Sequence, residues 1–197
     1  MDEIDPRAYW LWLQHALGAG SSKQNRILAA YPSLKAFYEE GRESWLLEGY
    51  FTPKEMHALE AWSVEQAAAL LEYSKKLGQT VITPDDLGYP ELLREISNPP
   101  CALFVKGTLP DFSQRLSISI VGTRNVSDTG RMLAEKSARE AVEYGLCVIS
   151  GMALGVDTMA HSTALRFAGK TIAVLGSGVD TIYPMSNKKL YQKSFRR

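Results

Sequence analysis

The chain has 197 residues, 45% of them apolar and 22% charged, with 22 Lys and Arg against 22 Asp and Glu. That length and apolar share fit one large domain or two small ones, each with its own core. The balanced charge excludes a uniformly basic binder of nucleic acid or membrane, so a polyanion would have to be met by a local cluster.

The chain opens on Asp2, Glu3 and Asp5, the opposite of a signal-peptide start, and no run of eighteen apolar residues follows. A cytoplasmic location is expected. Ala8, Leu11, Trp12, His15 and Ala16 stand at helical spacing. Gly18 and Gly20 interrupt the pattern, and Ser22 to Tyr31 forms a second helix stopped by Pro32. Ser33 to Glu40 and Glu43 to Leu47 are short helices on either side of Gly41. In the next helix, ending at Ala61, Thr52 takes the N-cap and Pro53 the first helical position. Val64 to Leu77 is rich in Ala and Leu and ends at Gly78. Residues 1–78 therefore read as an all-helical domain.

The period changes at Gly78, and residues 79–197 read as the second domain. Strands are expected at 80–83 and 102–106, joined by the turn-rich Pro84–Pro90 and a helical turn at 91–96. Strand 118–121, helix 128–144, strand 146–149, helix 156–168, strand 171–175 and a helical tail from Ser186 complete the chain. Alternating strands and helices with apolar strands predict an α/β fold, its parallel sheet covered by helices on both faces.

The last three strands all end in glycine, at Gly122, Ser150-Gly151 and Gly176-Ser177-Gly178. Ligands of open α/β sheets bind at the carboxyl ends of the strands. Thr123 and Arg124 follow Gly122, and Ser127 or Asp128 is placed to cap the next helix. Its first N–H groups, with the Arg124 guanidinium, suit an anion. The competing explanation is that βα turns use glycine only to let the backbone twist. Neither dinucleotide nor Walker spacing is met: Thr181 stands where GxGxxG needs its third glycine, and Ala164 where a Walker loop needs its first. Asp157 and His161 share a helix face, either as an acid/base pair or as a helix-start carboxylate beside a packed histidine. No GxSxG elbow or triad is present, so no catalytic residue is assigned. Cys101 and Cys147 lack ligand spacing and read as structural thiols; no metal or cofactor is expected.

Two further segments bear on an anion. Leu17-Gly18-Ala19-Gly20 between two helices has the form of a helix-hairpin-helix turn, with Lys23 and Arg26 placed to assist a phosphate contact, although such hairpins also serve as packing units. No acidic residue follows Asp180, while Lys188, Lys189, Lys193, Arg196 and Arg197 are basic. A solvated tail explains this, and so does a positive rim beside the glycine edge.

The segments Ile120-Val-Gly-Thr-Arg124, Ile149-Ser-Gly-Met-Ala-Leu-Gly-Val-Asp157 with Ala160-His161, and Thr171 to Asp180 with Tyr183-Pro184 resemble the DNA-processing protein A (DprA/Smf) family. Tyr89-Pro90, Pro99-Pro100 and Leu103 to Gly107 match it in style, and residues 1–75 resemble its sterile-alpha-motif-like or helix-hairpin-helix domain. The resemblance implies a Rossmann-like domain, not an enzyme, that binds single-stranded DNA and loads RecA in natural transformation, as a homodimer in the full-length family. It implies DNA contacts at Gly122, Thr123, Arg124, Ser150, Gly151, Gly176, Ser177 and Gly178; the hairpin and the basic tail add Lys23, Arg26, Lys188 and Lys189 as candidate secondary contacts. Tyr183 and Tyr191 are candidates for base stacking. Family cores continue beyond the Tyr-Pro segment, so this chain is expected to hold only part of one. The alternative is a nucleotide-binding or nucleotide-hydrolysing Rossmann-like enzyme, whose Pro-Gly-Gly-x-Gly-Thr loop with its following Glu is not found in the sequence.

Overall fold

The computed structural model describes residues 4–195 and forms two compact units, one reaching Phe104 and the other starting at Val105. The first unit is built around helix α1 (Arg7–Leu17), which buries Ala8, Tyr9, Trp10, Leu11, Trp12, Leu13 and Ala16. A helix apolar nearly all round belongs inside a core. Around it lie α2 (Lys23–Ala30), α3 (Leu34–Leu47), α4 (Pro53–Ala61) and α5 (Val64–Lys76). Helix α3 is broken at Gly41 (φ 76), as the two short helices read there require. Thr52 and Glu55 form a capping box on α4, and Ser63 and Gln66 another on α5, each satisfying backbone N–H groups that the first turn leaves unpaired. Trp12 and Trp45 bury their rings yet donate their indole N–H to Leu59 O (3.1 Å) and Phe37 O (2.8 Å).

Strand β1 (Gln79–Ile82), the single turn α6 (Glu91–Arg94) and strand β2 (Leu103–Lys106) follow, with β1 and β2 paired in a two-stranded sheet. The sequence suggests a boundary at 78/79, but most of this segment packs with the helices. Val81, Cys101 and Ala102 join the helical core. The Gln24 amide donates to Pro99 O, the Cys101 thiol donates to Gln24 Oε1 (2.6 Å), and Ala102 N donates to Gln14 Oε1 (2.8 Å). Burial pushes the Cys101 thiol up to about 12, as suits a structural thiol.

The second unit is a parallel three-stranded sheet in the order β3 (Ser117–Ser119), β4 (Cys147–Ser150), β5 (Thr171–Ala173). Ile118 pairs with Val148, and Val148 with Thr171. Helix α7 (Asp128–Glu143) crosses from β3 to β4 and α8 (Val156–Arg166) from β4 to β5. The expectation of helices on both faces is corrected for these two. Strands in sequential order joined by crossovers of one hand put both helices on the same face. Ala138 and Ala141 of α7, Ala160 and Ala164 of α8, and Ile120 and Val148 of the sheet form one core. Alanine at these positions lets the helices approach the sheet and each other closely. Ile149 and Ile172 point to the opposite face and are half-buried, while Val121 and Val174 remain 72% and 63% exposed. A last helix, α9 (Lys188–Ser194), packs against α8 and β5. Among the described residues no helix is long and apolar enough to cross a membrane.

Candidate nucleic-acid interface

The carboxyl ends of β3, β4 and β5 lie side by side, so the sheet brings the three glycine turns to one edge. They do not play one role there. Gly122, Thr123 and Arg124 are exposed, as are Gly176, Ser177 and Gly178. Arg124 has no ion pair among the described residues. Thr123 makes a tight local turn, its Oγ1 accepting from Asn125 N at 3.2 Å. Helix α7 starts just beyond, with Ser127 as its cap: its Oγ accepts from Gly130 N at 3.2 Å.

The middle turn is committed internally. Ser150 is buried, and its hydroxyl donates to Ile120 O at 2.7 Å. The Gly151 amide donates to Asp157 Oδ2 (3.1 Å), as does Ala153 N (3.3 Å). The buried Asp157 carboxylate thus fills the anion-accepting concavity of this turn from within, which leaves Ser150 and Gly151 as supports of the edge. Of the two roles open to Asp157, acid/base partner or helix-start carboxylate, the geometry fits the second. His161 points elsewhere, its Nδ1 lying 2.7 Å from Thr171 Oγ1. That hydroxyl donates to Val148 O at 2.9 Å, so its oxygen accepts from Nδ1–H. Burial lowers the His161 pKa to about 4, against a smaller opposite pull from Asp157.

Two glycines are demanded by packing. A Cβ on Gly122 would stand 2.7 Å from Val156 Cγ2, and one on Gly155 (φ +82) would stand 2.2 Å from Thr123 O and 2.6 Å from Arg124 O. Gly176 has open space around it. Gly178 lies against Asp180, whose carboxylate brings negative charge to that end of the edge.

The secondary candidates are dispersed. Lys23 donates to Glu55 Oε2 at 2.5 Å; burial raises the Glu55 carboxyl, but Lys23 and Thr52 outweigh it and hold it at about 2. Arg26 stacks on Tyr50, its guanidinium carbon 5.3 Å from the ring centre. A Cβ on Gly20 would approach Asn98 O at 3.3 Å, so the Gly18–Gly20 turn is packed against its own unit. Lys188 and Lys189 are exposed on α9, and Tyr183 is 66% exposed. Tyr191 is not available for stacking on a base: it is buried, with its ring against Phe195. Arg196 and Arg197 lie outside the described residues. The edge is an open surface. A shallow cleft of about 400 Å³ lies elsewhere, along the outer side of α7 and α8 between Arg131, Met132, Arg166 and Phe167. Among the described residues no cluster of His, Cys, Asp or Glu is arranged to hold a metal ion.

Sequence reasoning missed Asn187 and Thr158. Asn187 is buried, and its Nδ2 donates to Met152 O (2.9 Å) and Thr158 Oγ1 (2.9 Å), with Ala153 O at 3.4 Å. Thr158 Oγ1 in turn donates to Ala153 O at 2.7 Å. A polar residue in a basic tail carries no sequence signal of burial.

Parallel strands that end in Gly-Thr-Arg, Ser-Gly and Gly-Ser-Gly turns, with helices crossing between them, define a mixed α/β protein of specific local pattern. The chain belongs to the DNA recombination-mediator protein A family, whose model matches residues 80–197. Protein Smf of Synechocystis is 41% identical over 126 residues, covering 62% of this chain and 32% of that protein. The DNA processing protein DprA of Streptococcus pneumoniae is 44% identical over 102 residues, covering 52% of this chain and 36% of the relative. The chain therefore spans about a third of the curated relatives it matches. The crystal structure of S. pneumoniae DprA superposes with a TM-score of 0.60 at 34% identity, over 71% of this chain and 47% of that one. DNA processing protein A of Helicobacter pylori, described for its single-stranded DNA binding mode, matches with a TM-score of 0.50 at 30% identity, over 58% of this chain and 51% of that one.

Proposed function

We propose that this chain carries the single-stranded-DNA-binding edge of a recombination mediator. The sheet is read as part of a Rossmann-like core and the helical unit as a sterile-alpha-motif-like or helix-hairpin-helix domain. The observation that carries the reading is the exposed Gly122-Thr123-Arg124 turn, on the same parallel-strand edge as Gly176-Ser177-Gly178 with the β4 turn between them. Family membership and the DNA-binding H. pylori relative support it. Backbone amides and one planar guanidinium can hold successive phosphates without reading bases, which gives sequence-tolerant, salt-sensitive binding. An open edge suits a strand that passes through better than a small substrate that must be enclosed.

In the whole protein, this reading has the mediator act in the cytoplasm during natural transformation, as a homodimer without catalytic function, delivering the strand to RecA. Within the edge, Arg124 supplies the charge, Gly122 and Thr123 shape its turn, and Ser150 and Gly151 support it from below. Gly176, Ser177 and Gly178 offer the second wall, and Lys188 and Lys189 lie on the neighbouring helix. Lys23 and Arg26 are weaker candidates because both side chains already have partners.

The test is Arg124→Ala, titrated with a dT oligonucleotide at two salt concentrations. Removal of one guanidinium–phosphate contact is expected to weaken binding about tenfold and to reduce the salt slope by roughly 0.7. The melting temperature should stay within about 2 °C of the parent, because Arg124 is exposed and has no ion pair among the described residues. Equal affinity of variant and parent at both salts would take Arg124 out of the site.

A further inference from the structure

The loop Gly151–Gly155 after β4 has almost no partners of the ordinary ladder or helix kind. Its polar groups are met by three side chains: Asp157 accepts from Gly151 N and Ala153 N, Thr158 donates to Ala153 O, and Asn187 donates to Met152 O. Asn187 comes from the short turn before α9, far along the chain from the loop, and is 5% exposed. Its two amide hydrogens are fully used, one on Met152 O and one on Thr158 Oγ1. The loop also holds a costly backbone state, since Met152 has φ 61 with its side chain buried. Such a conformation persists only where its surroundings over-determine it.

The same loop bears on Arg124. Gly155 lies so close to Thr123 O and Arg124 O that a Cβ would overlap both, and Val156 N donates to Thr123 O at 3.2 Å. A continuous chain of contacts therefore runs from Asn187 through Met152–Gly155 to the Thr123–Arg124 turn. Free to move, the loop would let that turn sample many orientations, and an exposed arginine would lose more entropy on meeting a phosphate.

We infer that Asn187 is a positioning residue: its buried amide locks the Gly151–Gly155 loop and thereby sets the Thr123–Arg124 turn for phosphate. The phosphate half of this inference rests on the DNA reading above; the lock itself does not. Asn187 touches no ligand in this scheme and acts only through the loop. The lock also fixes the start of α9, so Lys188 and Lys189 keep a constant place relative to β4.

The experiment uses the full chain with Asn187→Ala and Asn187→Asp, the latter of the same shape but without the two N–H donors. Amide exchange at Gly151, Ala153 and Val156 reads the lock. It should rise about tenfold or more in both variants, while Ile120, Phe167 and Val174 stay within about twofold. Titration with a dT oligonucleotide should show affinity reduced about fivefold by Asn187→Ala, but by less than about twofold when Arg124 is already alanine. Unchanged exchange at Val156, or losses that multiply independently of Arg124, would overturn the inference. If Asn187→Ala raises exchange everywhere, Thr158→Val supplies the second probe. It removes the hydroxyl between Asn187 and Ala153 and must give the same local pattern, about threefold, or the lock is refuted. Should the parent fail to bind the oligonucleotide at either salt, the DNA reading falls with the phosphate half, and the Val156 exchange alone decides the lock.

Discussion

At the scale of the residue, His161 shows how burial converts an apparent reactive pair into a stability term. It is fully buried, bonded through Nδ1 to Thr171, and its Nε2 has no hydrogen-bond partner among the described residues. The imidazole titrates near 4 when folded and near 6.5 when unfolded. Between those values the unfolded chain binds the extra proton, so stability is fully present above pH 6.5 and falls as pH drops toward 4. The loss amounts to roughly 3 kcal/mol across that window. Urea denaturation of the second unit's signal at pH 7 and pH 4.5 should show this loss in the parent. His161→Gln should lose clearly less over the same interval, despite a lower starting stability. From sequence, Asp157 and His161 stand four apart and read either as an acid/base pair or as a helix-start carboxylate beside a packed histidine; their partners decide for the second.

At the scale of the element, the βα turns are alike in sequence and unlike in what their glycines do. Gly155→Ala would place a methyl against two carbonyl oxygens in a left-handed backbone state. It is expected to destabilise the protein by at least about 2 kcal/mol in chemical denaturation. Gly176→Ala, with open space around it, should change stability by less than about 0.5 kcal/mol. Equal effects would mean that the Gly155 contact with the Thr123–Arg124 turn is not maintained in solution. The existence and order of these elements were legible because the apolar period switches from helix to strand at Gly78 and glycine follows each of the last three strands. The placement of α7 and α8 on one face was not legible, because alternating βα segments alone do not give strand order.

At the scale of the whole molecule, the segment 79–104 matters most. The family model starts at residue 80, yet Val81, Cys101 and Ala102 complete the core of the helical unit. Burial of those three side chains and the bonds to Gln14 and Gln24 together contribute roughly 5 kcal/mol, a large part of a small domain's stability. A fragment of residues 1–104 should therefore melt cooperatively. A fragment of residues 1–78 should melt more than about 10 °C lower or without a cooperative transition, followed by circular dichroism. Equal melting of the two fragments would show that the helical unit does not depend on the segment.

By itself the sequence determined which segments are helix and which are strand, and the family pattern of Gly122-Thr-Arg124, Ser150-Gly151 and Gly176-Ser-Gly178. Those follow from local rules of periodicity, capping and turn chemistry, which act over a few neighbouring residues. Tertiary structure alone decided which of these turns stays open and which is filled. Asp157 occupies the middle turn, Glu55 takes Lys23, Tyr191 is buried, and Asn187 reaches back to the loop after β4. Each of those outcomes depends on a polar group finding a partner distant in sequence once water is excluded, and that pairing exists only after the chain has packed.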